Sequence, residues 1–398
     1  MACKACASGC LEVSALSDAS KSRKRRPMKV LFATGHGYLP QRVGGSETSS
    51  HELILALQEQ GHHCAVLAHL QGNGWLAFRN RVIMKLSRRA LVPDWMPGYR
   101  VQRAWYPDRH VATALERERP DVALVQAGEP LRMARALREA GARTVVYLRD
   151  VEFHELGGDP AKLPGLRYIA NSNFVAEKFR ATFGPKPAVI RPLFRAQRYV
   201  TARQPQEITF VNPHPLKGVD LAFEIAALCP EIPFCFVEGW PMNSEEKAAL
   251  ARRVAGYANV RLQSRTHDMR QVYRRAHTLL VPSQWEEAWG RVATEAQFSG
   301  IPVIASDRGG LPEAVGPGGC VLPHDAPATL WAATVREYWR DAEVYRTASD
   351  AALAHSQRPE IDPVRQITTL AAILAGSLDD DAAADERPGG QQGERLSA

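Results

Sequence analysis

Residues 282–313 read PSQWEEAWGRVATEAQFSGIPVIASDRGGLPE. An apolar run at 278–281 leads into this stretch, and a second apolar run at 302–305 follows a helical segment. Glu287 and Glu295 stand eight positions apart, one on the loop that leaves the first strand and one inside the helix. In an open α/β sheet such a loop and helix border the crevice where ligands bind. Because carboxylates bind hydroxyl-rich ligands well, the stretch indicates a sugar or ribose site.

The alternation of apolar runs with helical segments occurs in two series along the chain. The first series has its predicted strands at 30–33, 64–68, 122–125, 144–148 and 168–171. The second series has them at 208–211, 234–237, 260–262, 278–281 and 302–305. Each series predicts a parallel sheet with helices on both faces.

The length of 398 residues exceeds what one hydrophobic core usually organises, so two domains are expected. We predict an acceptor-side domain at 28–198 and a nucleotide-sugar domain at 207–355, joined by a Pro/Gln-containing linker at 199–206. A helical segment at 356–378 is predicted to pack back on the first domain. The two ends, a basic tail at 1–27 and an acidic tail at 379–398, are predicted to be disordered.

The composition narrows the functional classes. No run of about 18 apolar residues exists to span a bilayer, and no apolar segment follows the first basic residues, so a cytoplasmic location is expected. The net charge of +7 is concentrated in a basic cluster at 21–26 and opposed by acidic residues at 379–386. The chain lacks zinc-finger spacing, RNP aromatics and a basic zipper, so we expect no nucleic-acid partner.

The seven cysteines fall into two groups. Four lie singly in apolar segments, as reduced core cysteines do, at positions 64, 229, 235 and 320. The other three, at positions 3, 6 and 10, cluster in the Ser/Ala-rich tail without an evident fourth metal ligand. An unstructured tail is the expectation there, with a metal site as the alternative.

Further motifs accompany the glutamate pair in a fixed order. They are Gly44-Gly45 before a predicted helix, Ala170-Asn171-Ser172, Lys217-Gly218 and Gly309-Gly310-Leu311-Pro312-Glu313. With Glu287 and Glu295 they resemble the E-x7-E signature and associated motifs of the retaining nucleotide-sugar glycosyltransferases called GT4. The resemblance spans roughly residues 28–320.

The resemblance implies the GT-B fold, in which two Rossmann-like β/α/β domains face an interdomain cleft. It implies that Glu295 binds ribose hydroxyls, that Glu287 binds hydroxyls of the transferred sugar, and that Glu287 and Lys217 have catalytic roles. Lys217 and the Gly44-Gly45 backbone would stabilise the leaving pyrophosphate, since backbone N–H groups at a helix start attract phosphate. The turn formed by Trp289, Gly290 and Arg291 would shape the sugar pocket.

The same resemblance implies a co-substrate rather than a cofactor. The donor would be a UDP-, GDP- or ADP-sugar, and the sequence leaves the base, the sugar and the acceptor open. No metal is expected, because the one DxD pattern, at 379–381, lies in the acidic tail without a preceding strand.

Two departures from the family pattern concern charged residues. Relatives commonly have an arginine shortly before the lysine, where this chain has Asn-Pro-His-Pro at 212–215. His214 and Arg291 are the candidates to share the phosphate charge with Lys217. Relatives also carry a His-Asp pair after the strand at 144–148, where this chain has Arg149-Asp150. Asp150 is therefore a candidate catalytic carboxylate, with a surface ion pair as the alternative.

Other functions would each need a site with particular residues, and two of these sites do not fit the sequence. A dinucleotide site at 35–40 lacks the third glycine, which is replaced by proline. A glycosidase-like pair of carboxylates would leave the phosphate-binding features without a use. An epimerase of the same fold, which needs no acceptor, and a non-catalytic sugar-nucleotide-binding protein remain the alternatives.

Two local helix predictions complete the sequence analysis. The helix after Gly45 is predicted to begin with a capping box formed by Ser49 and Glu52. Residues 78–92 form a basic amphipathic pattern, with an apolar arc opposite Arg81, Lys85, Arg88 and Arg89. Such a helix suits an anionic membrane surface, and an ordinary helix with a solvated basic face is the alternative.

Overall fold

The computed structural model describes residues 26–377, which form two α/β units. The strands of the first unit are β1 (Lys29–Gly37), β2 (His63–His69), β3 (Val92–Asp94), β4 (Val101–Ala104), β5 (Val122–Gln126), β6 (Thr144–Leu148), β7 (Arg167–Ala170) and β8 (Ala188–Val189). Its helices are α1 (Gly45–Glu59), α2 (Gly74–Ser87), α3 (Val111–Glu118), α4 (Pro130–Glu139) and α5 (Asn173–Phe183).

The first sheet has the order β3-β4-β2-β1-β5-β6-β7-β8. All neighbouring strands are parallel except the edge pair of β3 and β4, which is antiparallel. The sheet is buried on both sides, and apolar side chains of alternating strand positions feed two separate core clusters. This burial explains why the central strands read as continuous apolar runs in the sequence.

The second unit has an entirely parallel sheet of six strands in the order β11-β10-β9-β12-β13-β14. The strands are β9 (Glu207–Val211), β10 (Phe234–Val237), β11 (Val260–Gln263), β12 (Ala276–Val281), β13 (Val303–Ser306) and β14 (Gly319–Leu322). The helices are α6 (Val219–Leu228), α7 (Ser244–Val254), α8 (Arg270–Tyr273), α9 (Arg291–Gln297), α10 (Leu311–Val315), α11 (Ala328–Arg340) and α12 (Ala342–His355).

The last described helix, α13 (Pro363–Ala375), returns to the first unit. Ile367, Leu370 and Leu374 are buried in the same cluster as residues of β1 and α1. The guanidinium of Arg143 donates to the backbone carbonyl of Leu374, close to the end of α13. The chain therefore crosses between the units twice, which ties the two sheets together at their junction.

The first crossing, residues 199–206, lies along the second unit. The Thr201 amide donates to Ser299 Oγ over 3.1 Å, and the Gln204 amide donates to the Arg274 carbonyl over 2.7 Å. Arg203 donates to the Gly300 carbonyl over 2.7 Å. These bonds fix the segment to the second unit along its length.

The predicted strands all exist in the structure, with bounds that differ by a few residues. The sequence patterns missed β3, β4, β8 and β14, which are short and lie at or next to sheet edges. The predicted capping box is wrong. Helix α1 already begins at Gly45 with Gly44 as its N-cap, so Ser49 and Glu52 lie inside the helix and are buried.

Several predictions fall on other parts of the chain. Cys64, Cys229 and Cys235 are buried free thiols, and Cys320 is partly buried, as expected of reduced core cysteines. The N-terminal cysteines, nearly all of the basic tail, the acidic tail and the DxD pattern lie outside the described residues. Within residues 26–377, no helix has the length and apolar character needed to cross a bilayer.

Candidate functional site

The carboxyl edges of the two sheets face each other, and the loops that leave their strands touch. The indole N–H of Trp285, after β12, donates to the carboxylate of Glu152, after β6. The ammonium of Lys178, on α5, pairs with Glu286. Because loops at the carboxyl edges of parallel sheets bind ligands in this type of fold, the contact zone is the candidate site.

Glu313 makes the third link across this zone. Its Oε2 accepts from the backbone amide of Asn173 over 2.9 Å, and its Oε1 accepts from Arg191 Nε over 2.7 Å. Asn173 is the first residue of α5 and follows the Asn171-Ser172 motif. The 170–172 and 309–313 motifs therefore meet through a carboxylate at the start of a helix, where negative charge is favoured.

Lys217 and Glu287 form the central charged pair of the second unit. Lys217 Nζ lies 2.5 Å from Glu287 Oε1, which also accepts from Ser283 Oγ over 3.0 Å. The two charged side chains are each 14% exposed. The ammonium also lies 5.1 Å from the Trp240 ring centroid and 4.6 Å from that of Trp285. The lysine is thus held between a carboxylate and two aromatic faces, each of which attracts a cation.

The motif glycines allow these loops to approach each other. A Cβ on Gly218, whose φ is +79°, would lie 2.0 Å from the Pro282 carbonyl oxygen. A Cβ on Gly309, whose φ is +67°, would lie 2.2 Å from the Glu287 carbonyl oxygen, which accepts from the Gly310 amide over 2.6 Å. No other residue type fits at these two positions, so the glycines fix where Lys217 and Glu287 stand.

Glu295 differs from Glu287 because it is nearly enclosed. Its Oε1 lies 3.2 Å from Arg291 Nε, and its Oε2 accepts from the Tyr273 hydroxyl over 3.0 Å. Burial first, and then the charge of Glu295, raises the pKa of Tyr273, so the phenol remains a donor. Both carboxylate oxygens are therefore occupied by side chains of the second unit.

Arg291 lies where the two units meet. A Cβ built on Gly45, at the start of α1, would lie 3.6 Å from Arg291 Cδ. The guanidinium donates through Nη2 to the Tyr199 hydroxyl over 3.1 Å and lies 4.4 Å from the Phe194 ring centroid. Its Nη1 is buried and has no partner within residues 26–377. An unpaired buried donor of this kind suits an anionic ligand.

A second arginine approaches the same place from the first unit. Arg149 stacks over the Tyr147 ring, with 4.0 Å between the guanidinium carbon and the ring centroid. Burial is the main cause that lowers the pKa of Arg149, and the positive charge of Arg291 lowers it further. The surface ion pair considered for Arg149 and Asp150 is wrong, because Arg149 is buried and donates to Gln126 and Ser50.

The start of α1 carries an acidic residue that the sequence analysis missed. Glu47 is buried, its Oε1 lies 3.2 Å from Arg42 Nε, and its Oε2 has no partner within the described chain. A Cβ on Gly44 would lie 2.7 Å from that unpaired oxygen. At Gly45 the turn therefore leaves room for an added Cβ beside Arg291. At Gly44 the carboxylate of Glu47 fills the corresponding space.

Trp289 is not available as a pocket wall. Its side chain is buried in the core of the second unit, and its indole N–H donates to Thr294 Oγ1 over 3.1 Å. The following Gly290 has a φ of +93° and precedes α9. The indole is therefore unavailable to a ligand, and the prediction that the 289–291 turn shapes the sugar pocket rests on its backbone and on Arg291.

His214, the other candidate for phosphate charge, has a local structural role. Its Nδ1 accepts from the Leu216 amide over 3.2 Å, and its ring packs against Trp240 with centroids 4.9 Å apart. Of the two candidates, Arg291 is the one with a buried donor that lacks a partner within residues 26–377.

Asp150 lies on the first unit, just after β6. Burial first, and then the charges of Glu152 and Glu155, raises its pKa to about 6. His154 is exposed, and its Nε2 lies 3.9 Å from Glu155 Oε1 rather than beside Asp150. Asp150 can therefore take up and release a proton close to neutral pH.

A groove of about 340 Å³ opens at the carboxyl edge of the first sheet. Its lining includes His36 near the end of β1, His69 at the end of β2, Trp105 after β4, and Glu129 and Arg132 near the start of α4. Arg132 pairs with Glu129 over 2.8 Å, and the charge of Asp108 is the main cause that raises the pKa of Arg132. This groove was not predicted, because its residues come from the ends of four separate strands.

Among residues 26–377, no three His, Cys, Asp or Glu side chains are grouped so as to hold a metal ion.

Two family models match the chain, one on each unit. The model described as Glycosyltransferase Family 4 matches residues 43–195, and the model described as Glycosyl transferases group 1 matches residues 202–354. Together they cover most of the described residues.

Curated relatives match over shorter stretches. The D-inositol 3-phosphate glycosyltransferase of Mycolicibacterium gilvum is 36% identical over 159 residues, which are 37% of this chain and 35% of that protein. The protein of the same name from Corynebacterium efficiens is 41% identical over 88 residues, which are 22% of this chain and 20% of that protein. The chain thus spans about a third or less of the length of these relatives.

Solved structures match over nearly the whole chain. Anabaena Alr3699/HepE in complex with UDP-glucose has a TM-score of 0.69 at 18% identity, covering 88% of this chain and 100% of that one. A glycosyltransferase from Rickettsia africae has a TM-score of 0.69 at 14% identity, covering 89% and 100%. These likenesses confirm the predicted fold, in which two parallel-sheet units face a common cleft.

Proposed function

Because the chain belongs to the glycosyltransferases of the GT4 type, we propose that it transfers a sugar from a nucleotide-sugar donor to a hydroxylated acceptor. The observation that carries the proposal is the charged cluster at the facing carboxyl edges. Lys217 and Glu287 stand 2.5 Å apart there, and Arg291 lies against Gly45 with one donor unpaired.

The donor diphosphate would lie between Lys217, Arg291 and the backbone N–H groups at the start of α1. This arrangement would provide the positive charge that relatives obtain from an additional arginine. Glu287 would bind hydroxyls of the transferred sugar. When Arg291 turns toward the diphosphate, Glu295 Oε1 becomes free to accept from a ribose hydroxyl.

Transfer would proceed with retention and without a protein nucleophile. The bond between the anomeric carbon and the diphosphate oxygen breaks, and the acceptor oxygen bonds to the same face of that carbon. The acceptor proton passes to an oxygen of the leaving diphosphate. Lys217 and Arg291 stabilise the charge that develops on this group, which is where electrostatic catalysis has its largest effect. Contact between the units excludes water and so favours transfer over hydrolysis.

The acceptor would occupy the groove of the first unit, where Trp105 offers an aromatic face and Glu129 and Arg132 offer hydrogen-bonding groups. Asp150, with its raised pKa, would lie on the acceptor side as the group that holds or releases a proton. The named activity of the D-inositol 3-phosphate glycosyltransferases and the UDP-glucose complex of HepE make a polyol and UDP-glucose the first pair to assay. GDP- and ADP-sugars are to be assayed as alternative donors. We place the reaction in the cytoplasm and expect it to require no metal.

The test combines binding with turnover. A donor that binds only the folded state should raise the melting temperature, by an amount set by its concentration relative to its Kd. With the best donor, nucleotide release should then depend on the acceptor. Sugar isomerisation without an acceptor would instead identify an epimerase, and donor binding without turnover would identify a non-catalytic protein.

The metal requirement is tested separately. Activity should survive EDTA, whereas complete loss that manganese or magnesium restores would contradict the metal-free site.

A further inference from the structure

Helix α2 carries a second apolar face that points away from the protein. Its buried side consists of Leu76, Ala77 and Asn80. The opposite side exposes four large apolar side chains, with exposed fractions of 72, 54, 40 and 81% for Trp75, Phe78, Val82 and Leu86 respectively. Their spacing of three and four residues places them on one stripe of the helix.

The predicted bounds of this helix, 78–92, are corrected by the structure. Helix α2 begins at Gly74 and ends at Ser87, because Arg88 has a φ of +54° and leaves the helical conformation. The shift adds Trp75 to the helix, with its ring centroid 5.8 Å from that of Phe78. Val82 and Leu86 of the predicted apolar arc lie on the outward stripe.

Positive charge surrounds the stripe. At about 100° per residue, Arg79 lies on one side of it and Lys85 and Arg81 lie on the other. Arg88 and Arg89 follow at the end of the helix. Within residues 26–377, no ion pair involves Arg81, Lys85, Arg88 or Arg89. The sequence from 60 to 93 contains no aspartate or glutamate.

We propose that α2 docks on the surface of an anionic lipid bilayer, with the Trp75–Leu86 stripe inserted among the head groups. Aromatic and aliphatic side chains on one stripe, flanked by lysine and arginine, match the chemistry of this interface. A second copy of the chain fits less well, because pairing two such faces would bring two sets of unpaired cations together.

The position of α2 relates this surface to the groove of the first unit. Helix α2 begins five residues after His69, which lines the groove. Gly72 lies between them, and a Cβ built on this glycine would be 4.0 Å from the Trp105 ring. Docking would therefore bring the groove next to the lipid head groups. This relation to the acceptor rests on the function proposed above, whereas the docking itself does not.

The experiment is cosedimentation of the full chain with vesicles of phosphatidylcholine, alone or mixed with phosphatidylglycerol. We expect binding only to the mixed vesicles, weakened by salt. Each lysine or arginine near an anionic surface contributes about fivefold to binding. The variant in which Arg81, Lys85, Arg88 and Arg89 are replaced by glutamine should therefore bind at least about a hundredfold more weakly. Trp75→Ser with Leu86→Ser should weaken binding at least about tenfold.

A matched control removes the same charge elsewhere. Replacing Lys247, Arg252, Arg270 and Arg346, which are exposed on the second unit, by glutamine should leave vesicle binding within about twofold of the wild type. All variants change exposed side chains, and each is first checked for an unchanged melting transition.

Three outcomes would overturn the proposal. The first is that the wild type does not sediment with the mixed vesicles, and the second is that the α2 variants bind as the wild type does. The third is a concentration-dependent dimer in analytical ultracentrifugation that Trp75→Ser with Leu86→Ser abolishes, which would assign the stripe to self-association. Because no sugar donor is present in these assays, their result is independent of the proposed glycosyl transfer.

Discussion

The carboxyl edges of the two sheets, which face each other across the cleft, place their carboxylates in opposite electrostatic environments. On the second unit, each carboxylate of the glutamate pair has a cation beside it, Lys217 for Glu287 and Arg291 for Glu295. On the first unit, Asp150 is surrounded by other carboxylates, and burial together with these neighbours raises its pKa to about 6. The second edge is thus arranged to keep fixed charges, and the first to exchange a proton.

This difference matches the two tasks of a glycosyl transfer. A leaving diphosphate needs positive charge that is in place before the bond breaks, because preorganised dipoles and charges cost no reorganisation during the reaction. In the proposal the acceptor hydroxyl gives its proton to the leaving diphosphate, and a group such as Asp150 that exchanges a proton near the working pH can accept a hydrogen bond from that hydroxyl beforehand. The predictions below test whether the division between the two edges holds.

The largest effect is expected for Glu287→Gln. The carboxylate accepts hydrogen bonds from Lys217 and Ser283 in the structure and from donor hydroxyls in the proposal. Since a hydrogen bond to a charged group contributes about 1.5–3 kcal/mol, kcat/KM should fall about tenfold to several hundredfold. Steady-state kinetics with the best donor measures this.

The neighbouring Glu286 provides the control for Glu287. It is also a partly buried carboxylate with a lysine partner, but that partner is Lys178 of the first unit. Glu286→Gln should change kcat/KM by less than about fivefold. If both variants keep wild-type kinetics, the assigned donor site is wrong. If Glu286→Gln is the more damaged, the contact between the units matters more than the sugar contact.

A smaller but structural effect is expected for Glu295→Gln. Removing this buried charge leaves Arg291 without its counter-ion, so the free energy of unfolding should fall by about 2 kcal/mol. The donor KM should rise as well, because Arg291 loses its fixed position. Denaturant unfolding and kinetics on the same preparation measure both quantities.

Tyr273→Phe separates the two roles of Glu295. It removes only the hydroxyl that donates to Oε2 and leaves the ion pair with Arg291 intact. Stability should fall by about 1 kcal/mol with little change in the donor KM. An equal rise in KM for both variants would mean that the orientation of the carboxylate, rather than its charge, is what the donor requires.

The sequence predicted the second edge better than the first, for a physical reason. Lys217, Glu287 and Glu295 belong to short motifs in which glycines with positive φ or close neighbours mark the turns. Such local constraints are visible in a sequence because few residues satisfy them. Even so, the pattern could not show that Trp289 points into the core, since a tryptophan beside a motif can lie in the hydrophobic core or in the wall of a ligand pocket.

The first edge depends on contacts between distant segments. His36, His69, Trp105 and Glu129 lie together only because β1, β2, β4 and β5 are neighbours in the sheet. Strand β4 and its partner β3 were not predicted, so no sequence pattern could bring Trp105 to this place. The outward stripe of α2 was not predicted either. The helix begins at Gly74, and this starting point decides which of its faces is buried.

The groove is tested by a pair of tryptophan variants with opposite expectations. Trp105→Ala should raise the acceptor KM by about two- to tenfold, the range expected when one aromatic contact is lost, and leave the donor KM unchanged. Trp240→Ala, beside Lys217 on the second unit, should raise the donor KM instead. Equal effects of both variants on both substrates would remove the distinction between an acceptor edge and a donor edge.

The smallest effect concerns Asp150 and has a sign that depends on pH. An aspartate with a pKa near 3.8 in the unfolded chain and about 6 in the folded protein binds its proton more tightly when folded. Its contribution to stability is therefore full below pH 3.8 and is lost as the pH rises through about 6. Asp150→Asn removes the buried charge, so above pH 7 the variant should be more stable than the wild type by about 1 kcal/mol, allowing for solvent screening. Near pH 4 the two proteins should have the same stability, because Asp150 is then largely protonated. Denaturant unfolding across this pH range measures the difference. A constant difference would mean that Asp150 does not titrate near neutrality, and the first edge would then lack the proton-exchanging group that distinguishes it from the second.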